Sequence, residues 1–412
     1  MYACRGAVNW LLGSALTPRV GWAQETDGSI QLGARDMPTD SQHYLLPAGL
    51  ADVLPGDAAF EAAMVERVMA VFAAWGYDRV KPPLIEFEDS LLSGPGAAMA
   101  AHTFRLMDPV SQRMMGLRAD ITPQVARIAA SRLKNSPRPL RLSYAGQVLR
   151  VKGEQMRPER QLGQAGIELV GAASAAADAE VVLLAVDALR QAGVPHLAVD
   201  LNLPTLTPAI LAAAGVDDPA PLIAALDRKD VAAVRQLAGN QTALLEGLLR
   251  AIGPAGQALA QLGKLQLPAA AEPQRRRLVE VVALIQAAAP DLALTIDPTD
   301  HRGFEYHTGI TFSLLGRRVS GEFGRGGRYV NQAGEEATGF TLYLNTVLAA
   351  LPAPGVPKRV FLPAGTQPAI GADLRAKGWV TIQDVEAAGN STAEARRLGC
   401  QFLWNGQAVV DL

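Results

Sequence analysis

Two apolar runs, LRLSYAGQVLRV (140–151) and RQLGQAGIELVG (160–171), flank a polar loop from Lys152 to Glu159. Aliphatic runs of this length, separated by a short polar segment, read as two strands of one β-hairpin. Alternation along the return strand sets Gln164, Gly166 and Glu168 on one face and Ala165, Ile167 and Leu169 on the other. The hairpin is therefore expected at the centre of a sheet whose apolar face is covered by helices. Its two polar side chains share the opposite face, and the tip between them carries Arg150, Lys152, Arg157 and Arg160.

The flanking segments suit that arrangement. Phe60, Met64, Val68, Phe72 and Trp75 recur at helical spacing from Asp57, and Gly76 supplies a stop. YDRVKPPLIEF reads as extended, with Pro82 and Pro83 confining it to an edge or a bent strand. TFRLMDPVSQRMMGLRAD reads as a second hairpin turning at Asp108-Pro109-Val110-Ser111. Thr122 followed by Pro123 reads as an N-cap with proline at the first helical position, which starts a helix just beyond Asp120. ADAEVVLLAVDALRQAG is a further helix, HLAVDLNL a strand, and residues 207–289 an alanine- and leucine-rich helical insertion with no recognisable chemistry. LALTIDPTDHRGFEYHTGITFSLL and RRVSGEFGRGGRYV return to strands, and TGFTLYLNTVLAALPAP reads as a helix ended by proline. The sum is an α+β fold, a mostly antiparallel sheet with helices around it.

The expected domains are an N-terminal extension (1–40), poorly ordered, a main domain (41–350) and a small C-terminal α/β unit (358–412) behind the linker LPAPGVPK. The stretch AVNWLLGSAL loosely resembles a secretory signal, but Pro18 and Arg19 interrupt it, and an extension ahead of Met37 is the preferred reading. With a net charge of -2 over 412 residues, the chain lacks the basic field that holds nucleic acid. Cys4 and Cys400 show no metal-binding spacing, which points to a reducing cytoplasm, and no apolar run suits a membrane span. No metal or other cofactor is expected, because the five histidines lack HExxH or HxH spacing and GEFGRGGRY lacks the ending of a P-loop.

What remains is a distributed polar set: Asp120, Thr122, Arg150, Gln164, Glu168 and Arg302. Each alone is an ordinary structural residue. Together they match the needs of a zwitterionic amino acid, which requires acceptors for its ammonium, a guanidinium for its carboxylate and, if its side chain is imidazole, one further acid. Asp120, Thr122 and Gln164 suit the first need, Arg302 and Arg150 the second, and Glu168 the third.

LPAGLADVLP, WGYDRVKPPLIE, LRADITPQVARI, YAGQVLR, RQLGQAGIELVG, HRGFEYHTGITF, GGRY and ATGFTLYLNTVL, in this order, resemble the class II histidyl-tRNA synthetase core over residues 44–350. The resemblance implies a class II aminoacyl-tRNA synthetase-like antiparallel sheet flanked by helices. It also implies that the first hairpin is motif 2 with Arg150 as its arginine, and that Asp120, Thr122, Gln164 and Glu168 hold histidine. Arg302 and Tyr306 match the histidine-specific block, whose second tyrosine is replaced here by His307.

The nucleotide half departs from that family. Its motif 3 arginine falls on Thr346, after Asn345 in place of an acid, its motif 2 glutamate on Lys152, and its loop arginine on Pro158. Losing one such donor costs about 100 to 1000-fold in rate, so the departures argue against adenylation. The chain is most similar to synthetase-like chains that serve as regulatory subunits of short-form ATP phosphoribosyltransferase. That resemblance implies no catalysis by this chain, a separate catalytic subunit as partner, histidine as allosteric ligand in the first step of histidine biosynthesis, and a homodimer within a hetero-octamer. An active histidyl-tRNA synthetase, or a histidine-binding paralogue outside histidine synthesis, stay open at this point. So does the helix from Asp57, as dimer contact or as ordinary core.

Overall fold

The computed structural model describes residues 45–153, 158–301, 306–317, 321–387 and 389–412. The chain divides after Pro47, and residues 48–412 carry every element below. The expected extension over 1–40 lies outside the described residues.

In chain order the strands are β1 (Asp78–Arg79), β2 (Ile85–Phe87), β3 (Arg105–Met107), β4 (Met114–Leu117), β5 (Leu140–Leu149), β6 (Gln161–Val170), β7 (Leu197–Asn202), β8 (Gly253–Pro254), β9 (Ala293–Asp297), β10 (His307–Gly316), β11 (Gly324–Val330), β12 (Glu336–Tyr343), β13 (Arg359–Leu362), β14 (Val380–Gln383), β15 (Phe402–Trp404) and β16 (Val409–Asp411). The main sheet runs β1-β5-β6-β12-β11-β10-β7-β9-β8. Its pairs are antiparallel except β1 with β5 and β7 with β9. The hairpin of β5 and β6 zips from Leu140↔Val170 to Leu149↔Gln161, and β12 flanks β6 on its other side, so the hairpin is central as expected.

One expectation needs correction. TGFTLY is strand β12, and only Leu344–Ala349 is helical. Thr338, Phe340 and Leu342 alternate as a strand does, and neighbours on both sides satisfy the backbone of this segment, which outweighs the helical reading.

Ala165, Ile167 and Leu169 of β6 face the larger core, which the helices Asp57–Ala74 and Ala175–Ala192 close. Met64, Val68, Val71 and Phe72 form the buried stripe of the first helix, and Phe72 meets the Phe340 ring edge-on at 5.6 Å. Truncating a buried phenylalanine of this kind costs ~3–5 kcal/mol. The second helix begins at Ser174, whose hydroxyl accepts from the Ala177 N–H at 3.2 Å, and ends at Gly193, where φ is 96°. Glycine meets that left-handed conformation without a Cβ clash. Trp75 donates to Asp187 at 2.8 Å and Tyr77 to Glu180 at 2.9 Å, tying the two helices together over the sheet.

Between Leu206 and Ala288 the insertion is a succession of helices joined by turns, together with β8, which pairs with β9 and extends the sheet by one strand. A three-stranded sheet, β2-β4-β3, stands beside the helix Thr122–Ala130, and β2 is at its edge, as the prolines before it require. Residues 359–411 form a separate sheet, β14-β13-β15-β16, with the helices Pro368–Ala376 and Ser391–Arg397.

Candidate functional site

Register across the main sheet builds the site row by row. Tyr144, Gly166, Thr341, Arg325 and Ser313 lie abreast on β5, β6, β12, β11 and β10. The next row on the same face is Leu142, Glu168, Gly339, Gly327 and Thr311, and the one after it ends in Tyr329 and His307. Glycines open a hollow between these rows. A Cβ added at Gly339 would stand 2.2 Å from Glu168 Oε2, and one at Gly327 would stand 2.6 Å from Thr311 Cγ2. Neither contact is tolerable, so the Glu168 carboxylate can lie over the sheet only because residue 339 has no side chain.

The hollow is a cavity of about 360 Å³ whose lining includes Asp120, Thr122, Arg150, Glu168, Tyr306, His307, Arg325, Tyr329 and Thr341. That is the lower end of small-ligand pockets, a size suited to a single amino acid. Glu168 is 1% exposed and accepts from the Tyr329 hydroxyl at 2.9 Å. Burial pushes its carboxyl up to about 8, with the Tyr329 hydroxyl opposing and the Asp120 charge adding to the rise. The Tyr144, Tyr306 and Tyr329 phenols are likewise raised, first by burial and then by the nearby acids, so all three stay protonated donors at neutral pH. Tyr306 stacks on His307 with ring centroids 4.2 Å apart and meets Tyr329 edge-on at 5.8 Å.

Thr122 departs from its expected role as a cap. The helix runs from Thr122 itself, with Ile121 ahead of it and no side-chain cap. Asp120 Oδ1 takes the Thr122 N–H at 2.8 Å, and the Thr122 hydroxyl is hydrogen-bonded to the Tyr144 hydroxyl at 3.0 Å. Tyr144 in turn meets the Thr341 hydroxyl at 2.7 Å. The threonine side chain thus belongs to the cavity, and the aspartate two residues upstream satisfies the helix start.

Of the eight residues singled out from the sequence, six line this cavity: Asp120, Thr122, Arg150, Glu168, Tyr306 and His307. Gln164 is fully buried behind the wall, where its Oε1 accepts the Ile121 N–H at 3.1 Å and so holds the turn that carries Asp120 and Thr122. Arg302 lies outside the described residues. The residue before it, His301, is tied to the insertion, its N–H reaching Asp227 Oδ1 at 2.9 Å. Sequence reasoning missed Tyr144, Arg325, Tyr329 and Thr341. Tyr329 lies within GGRY, Tyr144 within YAGQVLR and Thr341 within ATGFTLYLNTVL, but which residues of those segments face the cavity is set by cross-strand register.

At the far end of the hairpin, Asn345 Oδ1 accepts the Gly163 N–H at 3.1 Å, and Thr346 is buried. Lys152, Pro158, Glu61, Glu159 and Asn345 face a second, larger cavity of about 750 Å³. Arg160 beside it donates to the Ala48 and Arg150 carbonyls, both at 3.2 Å. Among the described residues no group of three or more histidine, cysteine or acidic side chains is poised to hold a metal, and no helix is long and apolar enough to cross a membrane.

The sequence model of the Histidyl-tRNA synthetase family matches residues 49–347. Solved structures agree on the fold: a Bacillus halodurans protein titled ATP phosphoribosyltransferase regulatory subunit/histidyl-tRNA synthetase superposes with a TM-score of 0.75 at 23% identity, over 86% of this chain and 96% of that one. Histidyl-tRNA synthetase from Nostoc superposes with a TM-score of 0.73 at 18% identity, over 87% and 90%. The fold is therefore that of a histidyl-tRNA synthetase-like class II chain. Curated relatives narrow this class. ATP phosphoribosyltransferase regulatory subunits from Paramagnetospirillum magneticum and Rhodospirillum centenum are each 55% identical, over 91% and 92% of this chain and 100% and 98% of their own lengths. That of Gluconobacter oxydans is 44% identical over 89% of this chain and 97% of its own. The chain belongs to the ATP phosphoribosyltransferase regulatory subunit family.

Proposed function

We propose that this chain is a non-catalytic subunit that assembles with a separate, short ATP phosphoribosyltransferase catalytic subunit in the cytoplasm, and that its cavity binds free histidine to signal feedback inhibition of the first step of histidine biosynthesis. The observation that carries the reading is the buried Glu168 beside the Tyr329 hydroxyl, in a cavity that also presents Asp120, the Thr122 hydroxyl and guanidinium groups. An imidazole needs a buried acid at one end of such a cavity, and an α-ammonium needs Asp120 and Thr122 at another. Gln164 serves by holding the turn beneath those two acceptors. Arg302 joins the set through the family resemblance.

The lack of catalysis in this proposal rests on the other end of the hairpin. Asn345 spends its side-chain oxygen on the Gly163 N–H, and Thr346 has no cation to offer a phosphate. Regulation then follows from linkage. If histidine prefers a state of the assembly in which the catalytic subunits are slow, a coupling of about 1–3 kcal/mol yields roughly 5 to 150-fold inhibition. The assembly is taken to be a hetero-octamer containing homodimers of this chain, and the domain limits remain 41–350 and 358–412.

The test is to mix the purified chain with a short catalytic subunit. A stable hetero-oligomer with raised phosphoribosyltransferase activity, inhibited by histidine, is expected. Robust histidine-dependent exchange of pyrophosphate into ATP by the chain alone would overturn the proposal.

A further inference from the structure

One turn of the helical insertion, for which the sequence offers no chemistry, reaches the loop that leaves the main sheet after β9. The helix Ala220–Asp227 ends at this turn, and the helix Val231–Leu237 begins beyond it, capped by Asp230, whose side chain accepts the Ala233 N–H at 3.0 Å. The turn closes through the Lys229 N–H, which donates to the Leu226 carbonyl, and the Asp230 N–H, which donates to the Ala225 carbonyl, both at 2.9 Å. That closure sets Lys229 in the left-handed region, with φ at 57°. Glycine ordinarily ends a helix in this way, because a Cβ is unwelcome there. A lysine in its place points to a use for the side chain.

Lys229 Nζ lies 2.6 Å from Asp297 Oδ2, at the end of β9, and donates to the Thr299 hydroxyl at 2.8 Å. Asp297 Oδ1 in turn accepts the Thr299 N–H and hydroxyl, both at 2.9 Å, and Thr299 is fully buried. Two residues on, the His301 N–H donates to Asp227 Oδ1 at 2.9 Å, and its ring Nδ1 lies 2.9 Å from the Thr299 carbonyl oxygen. Asp227 and Lys229 thus grip the loop 297–301 from one turn of the insertion. This loop bears on the cavity in two ways. Across the sheet, Asp297 is the neighbour of Asn202 and Asn202 of Thr311, so the row that contains Glu168, Gly339 and Gly327 continues to the clamp. Along the chain, Tyr306 follows His301 by five positions, a reach of at most about 18 Å. Tyr306 and His307 stand in the cavity wall, where Tyr306 stacks on His307 and meets Tyr329, the donor to Glu168.

We propose that Lys229 is a positioning residue for the cavity: through its ion pair with Asp297 the insertion sets the loop 297–301 and, with it, the wall formed by Tyr306 and His307. The inference rests on the histidine-binding reading above and gives the insertion a part in it. Lys229 touches no ligand and acts only through the residues it holds. Because coupling between two places in a protein is reciprocal, a ligand in the cavity must also steady the turn that fixes the cavity wall.

Hydrogen–deuterium exchange of the full chain with and without L-histidine, together with calorimetric titration by L-histidine, tests the assignment. In the unmodified chain histidine is expected to slow amide exchange at residues 220–237 as well as at 306–316, although none of the former lines the cavity. Lys229→Gly removes the cation and gives the turn the residue its backbone favours. It should lower histidine affinity by about tenfold and abolish the protection at 220–237. Lys229→Arg keeps the charge and should restore both; if it behaves as the glycine variant does, the ion pair is not the link and the assignment fails. A merely structural pair would shift the urea midpoint of Lys229→Gly without moving histidine affinity or the exchange pattern, and that result overturns the assignment. So does an absence of histidine-dependent protection at 220–237 in the unmodified chain, a measurement that requires no variant to fold. Failure of the unmodified chain to take up histidine at all would instead overturn the histidine-binding reading, and this assignment with it.

Discussion

Replacing Glu168 with glutamine should flatten the pH dependence of stability. The carboxyl titrates at about 8 in the folded chain against an ordinary 4.5, because it is buried over glycines and the Tyr329 and Thr122 hydroxyls offset only part of that burial. At about 1.4 kcal/mol per unit, holding it ionised costs roughly 5 kcal/mol relative to the unfolded chain. The sign follows from proton counting. Between 4.5 and about 8 the folded chain keeps a proton that the unfolded chain has released, so stability from this group is full below the lower value and is lost as pH rises through the upper one. Glutamine keeps the shape and a hydrogen-bond acceptor for Tyr329 but has no proton to lose. Urea unfolding of both variants, followed by tryptophan fluorescence from about pH 5 to pH 9, should give a difference that grows in favour of the glutamine variant. The expected slope is close to 1.4 kcal/mol per pH unit, levelling off above about pH 8. Parallel curves for the two variants would refute the burial argument.

Histidine binding at about pH 5.5, where the free imidazole is largely cationic and Glu168 still holds its proton, should release close to one proton as the imidazolium draws Glu168 into its ionised form, and at about pH 7.5 almost none, because the imidazole takes that proton up; titration calorimetry in buffers of different ionisation enthalpy reads both numbers, and zero release at the lower pH would refute it. Gly339→Ala should weaken histidine binding at least tenfold and destabilise the fold by about 1–3 kcal/mol, since the new methyl would meet Glu168 Oε2 at 2.2 Å and the Ile167 carbonyl at 2.4 Å; calorimetry and urea melts check the two effects. Asp178→Ala should cost about 3–5 kcal/mol in urea unfolding, because that buried carboxylate accepts from Arg277 Nε at 2.8 Å and from Arg328 Nη2 at 2.7 Å, and both cations would lose it together.

The central hairpin, its polar and apolar faces and the helix Asp57–Ala74 were legible because each repeats a pattern within its own length. A period of two or of 3.6 residues needs no knowledge of neighbours. The misread segment at residues 338–343 lacked that clarity. Threonine, phenylalanine and leucine there suit either state, and pairing with β6 and β11 decides between them. Thr122 was misjudged for a related reason. Its local context favours capping, but Tyr144 arrives from a distant strand to claim the hydroxyl.

The chain's order of residues was enough to mark an α+β fold, a polar strand face and most of the groups that meet at the cavity, since those depend on local periodicity and residue chemistry. Which groups actually stand together was settled only by folding. The alignment of β11 and β12 against β6 brings Arg325, Thr341 and Tyr329 to Glu168, and the shift in the Glu168 carboxyl comes from the burial this alignment creates. Register between strands more than 150 residues apart is a property of the packed sheet, and no pattern inside one segment encodes it.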